Sequence, residues 1–155
     1  AQMEFPPVIR KLTPMDLRLF QEARMGIHNE FLIKDLKTRV SYDKARNLLR
    51  LNFNGLEIDS LEDVENLKKI LKDFCMAIGK KVNAIVNYNA FKVSDQFFDA
   101  YLSLSKDIIE TYYSKSARYN ANAEARNRFA DAFKLRRLPP NIYATEEEAL
   151  KYLFG

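Results

Sequence analysis

Few residues in this chain have the reactivity to carry covalent or metal chemistry. His28 is the sole histidine, which excludes a multi-histidine metal site. Cys75 is the sole cysteine, and with His28 it could form a nucleophile–base dyad. Its neighbours point elsewhere. Val64, Leu67, Leu71, Phe74, Cys75 and Ile78 recur at three- and four-residue steps, so the thiol sits on an apolar helix stripe and counts as a small hydrophobe. The four glycines, Gly26, Gly55, Gly79 and Gly155, are scattered and make no phosphate-cradling loop. Asp59 and Glu62 form a carboxylate pair, but they fall at a helix start, where acids complement the dipole. No catalytic residue, metal ligand set or cofactor motif follows from these groups.

A second kind of chemistry is non-covalent. Asn87-Tyr88-Asn89 and Arg118-Tyr119-Asn120 each follow a strand-like segment. Ligands of open α/β sheets gather beyond the carboxyl ends of the strands. The second group also leads into a helix N-terminus, whose free amides favour anions. Arg118 would add charge there and Tyr119 a stacking surface. These six residues are the candidate site for a small anion or a CoA-type ligand. The competing reading makes them loop caps and sheet-edge packing.

Charge distribution singles out a third region. The formal net charge of +4 sits entirely in 118–138, which holds Arg118, Arg126, Arg128, Lys134, Arg136 and Arg137 against Glu124 and Asp131. Such a patch can attract phosphates, nucleic acid or an acidic partner, or simply solvate a helix flank. Phe97, Phe98, Tyr101, Tyr112 and Tyr113 fall on a helix rather than on exposed strands, so they make no base-stacking platform and argue against nucleic acid.

The elements that would hold these residues can be read from period and caps. Residues 1–12, with Pro6-Pro7, read as an extended arm. Thr13-Pro14-Met15-Asp16 opens a helix that Gly26 ends. Segments 39–42 and 48–53 read as two strands of a hairpin. Leu49, Leu51 and Phe53 alternate there with Arg50 and Asn52, which predicts one wet face. Ser60 opens the clearest helix and Gly79 closes it. Residues 82–86 are a buried-strand run, and Ser94 starts a helix with the stripe Phe97, Tyr101, Leu104, Ile108 and Tyr112. A short strand at 117–119 precedes a helix over 121–135, broken by Pro139-Pro140. Ile142-Tyr143 reads as a last strand, and Thr145 with Glu146, Glu147 and Glu148 caps a short final helix. Strands alternating with helices predict a single α/β domain over 1–155. Its sheet is mixed but mostly parallel, with an N-terminal hairpin and flanking helices.

Hydrophobic residues at 47% and charged residues at 30% fit a globular chain and exclude extensive disorder. No apolar run reaches the ~20 residues that span a bilayer, so no membrane partner is expected. The start of the chain lacks the basic and apolar regions of a signal peptide. A lone cysteine then fits a reducing, cytoplasmic setting. Residue 1 is Ala, which reads as a processed chain or one excised from something longer.

The order and spacing of several segments resemble the C-terminal region of bacterial acyl-CoA:acetate/3-ketoacid CoA transferases. The segments are Arg10-Lys11-Leu12-Thr13-Pro14-Met15-Asp16-Leu17, Arg39-Val40-Ser41-Tyr42-Asp43 and Leu51-Asn52-Phe53-Asn54-Gly55-Leu56. They continue with Val86-Asn87-Tyr88-Asn89-Ala90-Phe91 and with Tyr112-Tyr113 followed by Arg118-Tyr119. The likeness runs over most of the chain. It implies a trailing α/β domain similar to the small anti-sigma-antagonist (STAS, SpoIIAA-like) fold. The acyl-accepting glutamate of such enzymes belongs to their transferase domains, so no catalytic residue carries over, and CoA would be met only through the parent enzyme. After Arg118-Tyr119 the family reads Thr-Thr-Ser and then bulky apolar residues. Here Asn120-Ala121-Asn122-Ala123-Glu124-Ala125 stands instead. That departure reads as divergence or as engineered resurfacing. The expected interaction surface, for a protein partner or for self-association, is Ala121, Ala125, Arg126, Arg128, Phe129 and Phe133. Three functions follow: a non-catalytic accessory domain, an engineered binding or self-assembling protein, and a small-anion or CoA-type ligand binder.

Overall fold

The computed structural model describes residues 35–155. The expected arm at 1–12, the helix at 13–25, the first resembling segment and His28 lie outside the described residues.

Residues 35–38 are helical and place Leu36 in the core. The hairpin follows as expected: β1 (Val40–Asp43) runs antiparallel to β2 (Leu48–Asn52), and Asn47 takes the positive φ of 50° that closes the turn. From β2 onward the chain alternates. The elements are β3 (Glu57–Ile58), α1 (Leu61–Ile78), β4 (Val82–Asn87), β5 (Lys92–Val93) and α2 (Asp95–Tyr112). Then come β6 (Tyr113–Tyr119), α3 (Ala123–Leu135), β7 (Ile142–Tyr143) and α4 (Glu146–Phe154). The main sheet has the order β1-β2-β4-β6-β7, with every pair after the hairpin parallel. This is a single α/β domain with a mixed, mostly parallel sheet. Beyond the ends of β2 and β4, β3 and β5 make a second, two-stranded parallel sheet.

The topology decides which face each helix covers. β2, β4, β6 and β7 step across the sheet in one direction, and right-handed crossovers then place α1, α2 and α3 on one side. The larger core lies there, built on Leu49, Leu51, Val86, Leu67, Tyr101, Leu104, Phe129 and Phe133. Having no further strand to reach, α4 folds onto the opposite side. Its Ala149 and Leu153 meet Leu48, Ile85 and Ala117. The expected wet face of the hairpin is corrected by this packing: Leu48 is fully buried under α4, and Arg50 reaches Glu146 at 2.6 Å. Asn52 alone in β2 stays exposed.

Local signals account for the helix ends. The Ser60 hydroxyl accepts from the Asp63 amide, the Asp63 carboxylate accepts from the Asp59 amide, and Gly79 ends α1 at φ 78°. Asn122 caps α3 by accepting from the Ala125 amide at 2.9 Å. The end of α3 is a Schellman turn with Arg137 at φ 59°. The Arg137 amide donates to Lys134 O and the Leu138 amide to Phe133 O. Thr145 caps α4 by accepting from the Glu148 amide. Ser94 precedes α2 but its side chain makes no capping bond. Among the described residues no helix is long and apolar enough to cross a membrane.

Candidate functional site

The carboxyl ends of β2, β4 and β6 lie side by side, with Asn52, Asn87 and Tyr119 in one register row and Leu51, Val86 and Arg118 in the row before it. Successive strand residues point to opposite faces. The row with Arg118 faces the larger core, and the row with Tyr119 faces α4. The six expected ligand residues therefore do not converge on one point.

Tyr88 is 1% exposed. Its ring packs among Phe53, Phe91 and Phe129 at centroid distances of 6.1, 4.9 and 4.8 Å. Its hydroxyl bonds the Tyr101 hydroxyl. Burial pushes the Tyr88 hydroxyl pKa up, and the charge of Arg118 opposes that shift. Arg118 is 2% exposed and lies over the Phe133 ring at 4.6 Å. Tyr119, on the other face, donates to Glu146 at 3.2 Å. Burial first and the Glu146 carboxylate second push its pKa up to about 12.

The asparagines tie loops together. The Asn87 side chain accepts from the Asn89 amide, and the Asn89 side chain accepts from the Ala121 amide at 2.8 Å. Asn120 is buried. Its Nδ2 donates to Tyr88 O at 2.9 Å and its Oδ1 accepts from the Asn122 amide at 2.8 Å. Asn122 in turn caps α3. Each short amide satisfies backbone that would otherwise be unpaired where the strands end.

The expected interaction surface is corrected at two positions. Phe129 and Phe133 are 4% and 1% exposed and belong to the larger core, because the apolar side of α3 must cover the sheet. Ala121 and Arg128 are exposed, while Ala125 and Arg126 are half-buried. Part of the basic charge of 118–138 is paired with acids outside the segment. Arg126 donates to Asn120 O at 2.8 Å, Arg128 pairs with Asp95 and covers Phe98, and Arg136 pairs with Asp99. These exposed pairs contribute little stability, but they disperse the charge.

Two openings remain at this end of the sheet. A cleft of about 540 Å³ lies between the β4–β5 turn and α3, and presents Lys92, Glu124 and Arg128 above a floor of Phe91 and Phe129. A groove of about 270 Å³ lies on the α4 side, between Arg39, Arg50, Asn52, Asn87 and Tyr119. The sequence does not mark Lys92 or Glu124 as site residues, since only the fold sets β5 against α3. Among the described residues neither opening holds a nucleophile hydrogen-bonded to a base. Cys75 is buried in α1, and desolvation pushes its thiol pKa up to about 11, away from a reactive thiolate. Among the described residues no three His, Cys, Asp or Glu side chains group as a metal site. No protein-family model, no curated protein and no solved structure matches this chain.

Proposed function

We propose that this chain is a non-catalytic interaction domain, the accessory part of a CoA-transferase-like protein with an anti-sigma-antagonist type of fold. One observation carries the reading. The polar side chains at the strand ends bond back to the chain, and among the exposed groups around the cleft no nucleophile is hydrogen-bonded to a base. The surface on offer is Ala121, Ala125, Arg126, Arg128, Lys92 and Glu124. The test is to mix the full chain with a family CoA transferase cut before its C-terminal region. Light scattering should show a complex, and Ala125→Glu with Arg128→Glu should weaken it about tenfold, a loss of ~1.4 kcal/mol. Acyl-CoA turnover by the chain alone, or no complex, would overturn the reading.

The cleft's size favours a second reading, a small-anion or CoA-type ligand. Sites for such molecules fall in the range of ~300–1,000 Å³, and two cations and the α3 N-terminus border this one. A site filled to 100 times its dissociation constant adds ~2.7 kcal/mol of stability. Thermal melts with CoA, acetyl-CoA and phosphate that do not move would remove it. Engineered resurfacing of 120–133 gains no support from the burial of Phe129 and Phe133. As a binding or self-assembly surface it would have to act through Ala121, Ala125, Arg126 and Arg128.

A further inference from the structure

A parallel sheet ordinarily carries apolar side chains on both faces, because helices cover both. Here the face under α4 is apolar only toward the amino ends of the strands. Leu48, Ile85 and Ala117 meet Ala149 and Leu153 there. Side chains two residues apart share a face. The same face therefore continues with Arg50 and Asn52 in β2, Asn87 in β4 and Tyr119 in β6. β1 adds Ser41, directly opposite Arg50, and Arg39 stands two residues before Ser41. The apolar rows thus give way to polar ones where α4 ends its cover, and these residues border the groove of about 270 Å³.

The hydrogen bonds within the chain use up the acceptors of this face and leave its donors. Asn52 Oδ1 accepts from the Asn54 amide at 3.0 Å, and Asn87 Oδ1 accepts from the Asn89 amide at 2.9 Å. Among the described residues neither Nδ2 has a partner. The two asparagines are register partners on neighbouring strands, so their backbones lie ~4.8 Å apart. Arg50 gives Nη1 to Glu146 at 2.6 Å and keeps Nε and Nη2. Arg39 is fixed by three bonds, from Nε to Asp35 and from Nη1 to Asn52 O and Asn54 O, and keeps Nη2. Among the described residues no acid lines the groove, and the carboxylates that pair with its two arginines lie outside it. A set of donors at this spacing suits a group that only accepts, and charge-assisted bonds from guanidinium to oxyanion are the strong ones. The volume lies just under the ~300–1,000 Å³ of sites for whole small molecules, so it suits one such group rather than a complete CoA. Asp35 and Glu146 already offset the two arginine charges, so recognition here depends on the directed amide donors more than on net charge.

We propose that this groove is an oxyanion site, which takes the phosphate or carboxylate group of a small ligand on the Nδ2 atoms of Asn52 and Asn87 and the remaining guanidinium donors of Arg50 and Arg39. The groove lies on the other side of the sheet from the cleft, and it is independent of what the cleft binds.

The test uses the full chain, labelled with nitrogen-15, at an ionic strength held fixed with sodium chloride. Sodium phosphate and sodium acetate are titrated separately. The side-chain amide signals of Asn52 and Asn87 should shift together and saturate. Saturation with phosphate alone or with acetate alone tells which group the site takes. Asn52→Asp keeps the acceptor for the Asn54 amide and turns the donor into a negative oxygen. It should raise the apparent dissociation constant at least tenfold, the weight of one hydrogen bond to a charged group. Lys80→Gln makes the same change in net charge at an exposed position just before β4, at the other end of the sheet, and should leave the constant within about twofold. Should Asn52→Asp fail to fold, the paired signals of the unaltered chain carry the test. Asparagine signals that saturate with neither ion overturn the proposal. So does equal weakening by both variants, or a shift spread over the surface lysines and absent from the two asparagines, which would mean attraction to net charge alone.

Discussion

Replacing Asn120 tests whether the strand-end asparagines are structural ties or ligand contacts. In Asn120→Ala the Tyr88 carbonyl loses the Nδ2 donor but keeps the Phe91 amide, and the Asn122 amide loses its acceptor where water can reach it. Two hydrogen bonds at a net ~0.5–1.5 kcal/mol each give a loss of about 1–3 kcal/mol. With a urea slope of ~2 kcal/mol per molar, the midpoint should fall by roughly 0.5–1.5 M. Asn120→Asp keeps the shape and the acceptor for Asn122. It replaces the donor with a carboxylate oxygen facing the Tyr88 carbonyl in a site only 3% exposed. The aspartate should therefore be worse than the alanine at pH 7, even with Arg126 nearby to soften its charge. A protonated carboxyl restores one donor and one acceptor. The folded state should hold that proton more tightly than the unfolded chain does. The variant's relative stability is then highest below the unfolded aspartate value of ~3.9, and is lost as pH rises through the raised folded value. Urea melts of both variants at pH 4 and pH 7 decide the matter, with Asn87→Ala, which loses a single turn bond, as a control below about 1 kcal/mol. If the aspartate matches the alanine at both pH values, Nδ2 carries nothing and the tie is refuted.

The other expectations separate core from surface and test two local devices. Phe129→Ala should cost about 3–5 kcal/mol by chemical denaturation, since the ring stacks with Phe91 at 5.9 Å and Phe98 at 5.7 Å, and a loss under 1 kcal/mol would return Phe129 to the surface. Arg137→Gly should stabilise by up to about 1 kcal/mol in the same assay, because Arg137 holds φ 59° at the end of α3 without a glycine's freedom; a destabilised variant would show that its side chain matters more than the turn. Tyr119→Phe should flatten the alkaline end of the stability profile. Burial and then Glu146 push the native hydroxyl up to about 12 against ~10 unfolded, so its contribution is present below pH 10 and lost as pH rises through 12; identical alkaline melts would refute the raised value.

How much of this was legible in the sequence depends on whether local or distant residues decide each feature. The helix α1 is legible from end to end because its cap, stripe and glycine stop all lie within it. The strand β6 is legible only at 117–119. Its first residues, Tyr113-Ser114-Lys115-Ser116, have no apolar run, and α2 passes into them with no breaker, since Tyr113 is already extended. Their place in the sheet is set by β4 and β7 on either side. The two-residue strands β3 and β5 are too short to carry a period. Their pairing depends on Gly55, at φ 74°, turning the chain back beside the β4 segment. The capping box of α4 is visible, but the sheet face it covers follows from strand order.

The candidate site shows a different limit. An asparagine at a strand end looks the same whether it ties a loop or holds a ligand, because both uses need a donor and an acceptor on a short arm. The two-residue strand period was enough to separate Arg118 from Tyr119, and it denies the pair a common ligand. Burial makes the remaining distinction. Asn120 and Tyr88 are inside and their polar atoms are matched within the chain. A ligand requires a polar group that the fold leaves unmatched, and of these six residues Arg118 alone keeps a buried polar atom without a partner. The residue proposed from the sequence as an outward anion contact thus faces the interior, where it meets Pro140 O, Ser116 Oγ and the Phe133 ring instead of a surface ligand.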